Sequence, residues 1–117
     1  VVYTGTHDNE TLTGWFEGIL PHERQMVRNY LNNHRDSDKE IYWDMVCTAM
    51  QSVSKLCVIP IQDYLGYGNE ARMNQPSTLG ENWKWRLKKG ELSEELIQKI
   101  KNITMAKQNL IMFILVK

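Results

Sequence analysis

The chain has 117 residues, of which 42% are hydrophobic and 24% charged, an ordinary globular composition with enough apolar mass for one modest core. Its 14 basic and 14 acidic side chains leave no formal net charge, which argues against nucleic-acid and membrane-surface roles, since both need a clustered basic field. Cys47 and Cys57 have no metal-ligand spacing and read as reduced core residues of a cytoplasmic protein rather than a disulfide. No secretory leader is expected, because the chain opens on a strand without a basic flank.

Val1, Val2 and Tyr3 are β-branched or aromatic and predict the end of a buried strand. The polar run Thr4-Gly5-Thr6-His7-Asp8-Asn9-Glu10 follows at the strand end, where an α/β enzyme meets its substrate. On spacing alone, Asp8 or Asn9 could equally cap a helix from Glu10 to Gly18, with Trp15 and Phe16 facing inward. Pro21 suits the first turn of a second helix, whose apolar stripe is Met26, Val27, Tyr30 and Leu31. The polar stretch 32–38 closes it as a solvated turn that includes His34. A third helix, about Asp38 to Ser54, carries Ile41, Met45, Val46, Ala49, Met50 and Val53 as core filler.

The short apolar run 56–61 fits a strand buried in a parallel sheet, with Pro60 at its end because proline cannot donate mid-sheet. Two parallel strands joined by helices form the building unit of a barrel. Residues 62–91 predict a long connection rich in Gly, Asn, Pro and Ser, of a length that is usually functional or disordered. Ser93 then caps a last helix, with Glu94 and Glu95 in its first turn and Leu96, Ile97, Ile100 and Ile103 as its buried stripe. The apolar tail 110–116 is too short to span a bilayer; it either prolongs that helix or packs as a strand.

Two motifs carry a more specific message. Val2-Tyr3-Thr4-Gly5-Thr6-His7-Asp8-Asn9-Glu10-Thr11, with Gly14-Trp15, resembles the last catalytic segment of the 4-α-glucanotransferases (amylomaltases, or disproportionating enzymes). Gln62-Asp63, Gly66, then Gly68 to Pro76 and Asn82-Trp83-Lys84-Trp85-Arg86 resemble the late loop of the same family, in order and at similar spacing. The likeness covers about residues 1–105 and departs mainly at Ser77, Glu81 and the apolar tail. It implies an α/β fold, a partial (β/α)8 TIM barrel holding the last two βα units and mostly helical by residue count. A whole barrel needs about 200 residues at the least. The chain then corresponds to the C-terminal end of a catalytic barrel, as one single-domain portion over residues 1–117.

The resemblance also assigns roles. Retaining glycosyl transfer uses a nucleophilic and an acid/base carboxyl group about 5–5.5 Å apart. The family places both upstream of this segment, and the position matching Asp8 is the transition-state stabiliser, which grips the 2- and 3-hydroxyls of the transferred sugar. His7 is implied to donate to a hydroxyl in that subsite, or else to fix Asp8 from behind. Asn74 matches a substrate-binding position on the loop bordering the cleft. Asn9 shapes the turn, and Glu70 and Arg72 make structural contacts within the late loop. No cofactor or metal is implied.

The expected partners are an α-1,4-glucan or maltooligosaccharide and the remainder of the catalytic barrel, with self-association if the chain is isolated. Other readings remain. Trp83 and Trp85 beside Lys84, Arg86, Lys88 and Lys89 suggest a stacking platform for sugar or single-stranded nucleic acid, although burying the indoles to anchor the loop accounts for them better than either ligand. A His7-Asp8 metal site would need further ligands, and the chain offers only His22 and His34. A noncatalytic carbohydrate-binding module derived from the barrel is the alternative of a different class. Two geometric expectations follow: Asp8 and Asp63 at the C-terminal ends of parallel strands, and Asp8 and Asn74 on one face.

Overall fold

The computed structural model describes residues 1–6, 8–32, 38–52, 55–106 and 111–115, the last five by their backbone. β1 (Val2–Tyr3) leads through a polar loop into α1 (Leu12–Gly18), α2 (Pro21–Tyr30) and α3 (Ile41–Met50). β2 (Leu56–Pro60) then passes directly into α4 (Ile61–Leu65). A 3-10 turn at Asn69–Ala71, a long loop, α5 (Glu94–Met105) and β3 (Ile111–Leu115) complete the chain. The sheet order is β1-β2-β3, and both pairings are parallel.

Val2 pairs with Cys57 and Tyr3 with Val58, and the Thr4 amide extends the ladder by donating to the Val58 carbonyl at 3.2 Å. Helical crossovers are what parallel pairing requires, and each pair of neighbouring strands here is separated by them. β3 pairs along the other side of β2, from Leu56↔Ile111 to Pro60↔Leu115, so the tail takes the strand alternative. Pro60 ends β2, as its missing amide hydrogen demands.

The core forms where β2 and α4 meet the inner faces of α1, α3 and α5. Leu12, Val46, Met50, Cys57, Ile59, Ile61, Tyr64 and Ile100 are buried together. Cys57 is fully buried and Cys47 half-buried; both are free thiols, and burial pushes both away from the thiolate. Ser93 caps α5 by accepting from the Leu96 amide at 3.1 Å. Leu96 and Ile103 pack against the core beside buried Ile100.

Two expectations need correction. The cap of α1 is Thr11, whose Oγ1 accepts from the Gly14 amide at 3.1 Å, and neither Asp8 nor Asn9 caps the helix. The helix therefore starts later than expected, because its orphan amides meet their acceptor at Thr11. Phe16 is buried, but Trp15 is 40% exposed. Trp15 lies about 100° round the helix from Phe16, so burying Phe16 leaves Trp15 on the flank that it shares with Leu12, toward an open groove. The α2 stripe, for its part, is uncovered: no α2 residue is buried, and Met26 and Tyr30 are 66% and 81% exposed.

Trp15, Met26, Val27, Tyr30 and Met45 instead line an open apolar groove of about 460 Å³ beside the outer edge of β1. α3 is shorter than the predicted 38–54, and the expectations for Val53, Ser54, His34 and His7 lie outside the described residues. Among the described residues no helix is long and apolar enough to cross a membrane.

Candidate functional site

Parallel pairing aims the C-terminal ends of β1 and β2 in the same direction, and both ends deliver polar residues. Asp8 follows β1 and Asp63 follows β2, as expected for one active face. The Asp8 loop turns sharply. The Asn9 amide donates to the Thr6 carbonyl at 3.2 Å, and Asn9 Oδ1 accepts from the Thr6 amide at 2.8 Å and the Thr6 hydroxyl at 2.9 Å. Asn9 therefore builds the turn, as its side chain suits it to do.

The late loop grips that turn from the other side. Asn74 Nδ2 donates to Asp8 Oδ1 at 2.7 Å. Arg72 Nη2 donates to the Asp8 carbonyl at 2.7 Å, while its Nε donates to the Asn74 carbonyl at 3.0 Å. One guanidinium thus orders both partners of the Asp8–Asn74 bond, which the planar fork of arginine is suited to do. Asn69 Nδ2 adds a bond to Glu10 Oε1 at 2.9 Å. Glu70 stays within its own loop, accepting from the Gly68 amide at 2.9 Å. Arg72 reaches beyond the late loop to the Asp8 turn, further than the sequence suggested.

Asp63 lies beneath this arrangement, 2% exposed. Its Oδ2 accepts from the Thr4 hydroxyl at 2.7 Å and its Oδ1 from the Leu12 amide at 2.9 Å. Burial pushes the Asp63 carboxyl above the ordinary carboxylate range, and the bonds from Leu12 and Thr4 pull the other way. These roles of Thr4, Asp63 and Arg72 were not evident in the sequence, because the partners are 51 to 64 residues apart.

The loop opens on a cleft of about 650 Å³ bordered by Thr4, Thr6, Asp8, Asn9, Glu10 and Arg72. Asp8 and Asn74, both half-buried, are brought together; His7 is outside the described residues. A half-buried carboxylate oriented by a neutral amide donor is equipped to accept hydrogen bonds from hydroxyl groups. Among the described residues no three His, Cys, Asp or Glu side chains lie close enough to hold a metal ion. Trp85 packs on the core and edge-on against Tyr67, at 6.2 Å between ring centres, so it anchors the loop; Trp83 is 42% exposed.

A family model for 4-alpha-glucanotransferase matches residues 1–93. The 4-alpha-glucanotransferase of Thermus thermophilus is 46% identical over 98 residues, which cover 81% of this chain and 20% of that protein. The Synechocystis enzyme of the same name is 41% identical over 104 residues, covering 89% and 20% respectively. An amylomaltase from Streptococcus agalactiae, solved in complex with acarbose, superposes with a TM-score of 0.84 at 34% identity, over 91% of this chain and 21% of its own. The chain therefore spans about a fifth of the length of these relatives. With most of its length matched by the family model, and with the strand-end loops that the motifs suggested, the chain belongs to the 4-alpha-glucanotransferase family.

Proposed function

We propose that this chain is part of a 4-alpha-glucanotransferase that moves α-1,4-glucan segments between maltodextrins, or to glucose, by retaining glycosyl transfer. The observation that carries this reading is the Asp8 carboxylate, held by Asn74 at 2.7 Å on a loop at the end of a parallel strand and facing an open cleft. In this reading Asp8 accepts hydrogen bonds from the sugar's 2- and 3-hydroxyls. Those bonds tighten as positive charge develops on the ring, so they lower the barrier rather than merely bind the substrate. His7 donates to a hydroxyl in the same subsite. Asn74 borders the substrate and also orients Asp8. The acarbose bound to the Streptococcus relative supports an oligosaccharide substrate.

The nucleophile and the acid/base come from the remainder of the catalytic barrel, for which this chain supplies the last two βα units at the C-terminal end. The apolar groove of Trp15, Met26 and Tyr30 beside β1 supports that arrangement, because a further barrel unit there would cover both the groove and the strand edge. The working compartment in this reading is the cytoplasm.

The test is disproportionation of maltotriose. The complete polypeptide carrying this segment is expected to release glucose and build longer maltodextrins. The isolated 117-residue chain is expected to do neither and to self-associate through its uncovered groove and edge. Glucose release by the isolated, monomeric chain would overturn the proposal.

A further inference from the structure

Asp63 is a buried carboxylate with no part in the chemistry described above. It is the third residue of α4, and its two oxygens are spent on opposite ends of one loop. Oδ2 takes the hydroxyl of Thr4, the first residue past β1; Oδ1 takes the amide of Leu12, the first residue of α1. Asp8 lies midway, four residues from either anchor.

The choice of side chain matters. An ionised carboxylate only accepts, and it meets one O–H and one N–H, so both oxygens are matched. An asparagine would turn an NH₂ group toward one of those donors. A buried charge is costly unless its acceptors are used, and here both are. The tie also crosses between strands: it fastens the end of β1 and the start of α1 to the segment that follows β2. Of the loop's other long-range contacts, those of Arg72 and Asn74 reach its centre and that of Asn69 reaches Glu10, whereas Asp63 holds both ends.

We infer that Asp63 is a positioning residue for Asp8, bracketing the loop at Thr4 and Leu12 so that the Asp8 carboxylate is oriented before substrate arrives. This rests on the reading of Asp8 as a group that stabilises the transition state. Small displacements of such a group cost rate far more than they cost binding.

The test uses the complete glucanotransferase containing this segment and centres on Thr4, because Thr4→Val removes one arm of the bracket at nearly constant volume while leaving the Leu12 arm in place. Thr4→Val is expected to lower kcat about tenfold, the scale for losing a hydrogen bond to a charged group, with KM changed less than twofold. Thr4→Ser, which keeps the hydroxyl, is expected to restore the rate. In an Asp8→Asn background, Thr4→Val should cost less than twofold, because no carboxylate remains to be positioned. A normal kcat for Thr4→Val, or an equal loss in both backgrounds, would overturn the inference alone. A normal kcat for Asp8→Asn would overturn the role of Asp8 and this inference with it. Exchange of the amide hydrogens of residues 8–12 should quicken in Thr4→Val, and unchanged exchange would also count against the bracket.

Discussion

Two polar loops of this molecule are held in different ways. The Asp8 loop is tied by bonds to residues 51 to 66 positions away: Asp63 at its ends, Arg72 and Asn74 at its centre, Asn69 at Glu10. The stretch 75–90 is shaped by short-range bonds, such as Asn82 Oδ1 accepting from the Gln75 amide and Thr78 Oγ1 donating to the Gln75 carbonyl, and meets the core by the packing of Trp85 and Leu87. It also holds Ser77 and Trp83 at φ values of 65° and 63°, a left-handed backbone that L side chains rarely adopt. Local bonds shape a loop, whereas long-range bonds fix it against the rest of the fold. A group that must meet a developing charge needs the second kind, since preorganisation is what makes it effective.

Asp8→Asn in the complete enzyme should have the largest effect. Loss of one preorganised electrostatic contact should lower kcat about 10²–10³-fold with little change in KM. The melting temperature should hardly move, because Thr11 rather than Asp8 caps α1. Near-normal kcat with a lowered melting temperature would make Asp8 a structural residue and erase the distinction between the loops. Steady-state transglycosylation kinetics and a thermal melt on one preparation decide it.

The next effect separates the loops directly. Asn74→Ala removes a 2.7 Å bond to the Asp8 carboxylate and should lower kcat about 10–100-fold. Asn82→Ala removes bonds to Gln75 and Thr78 on an exposed loop and should leave kcat within about twofold, with a stability change of about 0.5 kcal/mol or less. Equal kinetic losses in the two variants would mean that the 75–90 loop also positions the chemistry.

The smallest effect is on stability. A Cβ at Gly66 would lie 2.6 Å from the Tyr42 ring at a φ of 73°, whereas a Cβ at Gly80, at a φ of 112°, would meet nothing within 4 Å. Gly66 closes α4 just behind Asp63, with its amide donating to the Asp63 carbonyl at 3.4 Å. Gly66→Ala should therefore cost about 1–3 kcal/mol, backbone strain and ring displacement together. Gly80→Ala should show the backbone part alone, and the difference in thermal melting between the two measures how tightly the site region is packed.

Much of this protein was legible before folding. Periodicity marked α2, α3 and α5, Pro60 marked the end of β2, Ser93 marked a cap, and the run from Thr4 to Glu10 marked a polar loop at a strand end. These signals are local: a helix stripe, a missing amide hydrogen or a capping hydroxyl acts within a few residues of itself. Tertiary structure decided the rest. It left the α2 stripe exposed, because an apolar face is a core face only when something covers it. It passed the capping of α1 from Asp8 and Asn9 to Thr11, which frees Asp8 for Asn74 and the cleft. It joined Asp63 to Thr4 and Leu12, because parallel pairing of β1 with β2 brings the two strand ends side by side, an adjacency that spacing along the chain does not encode.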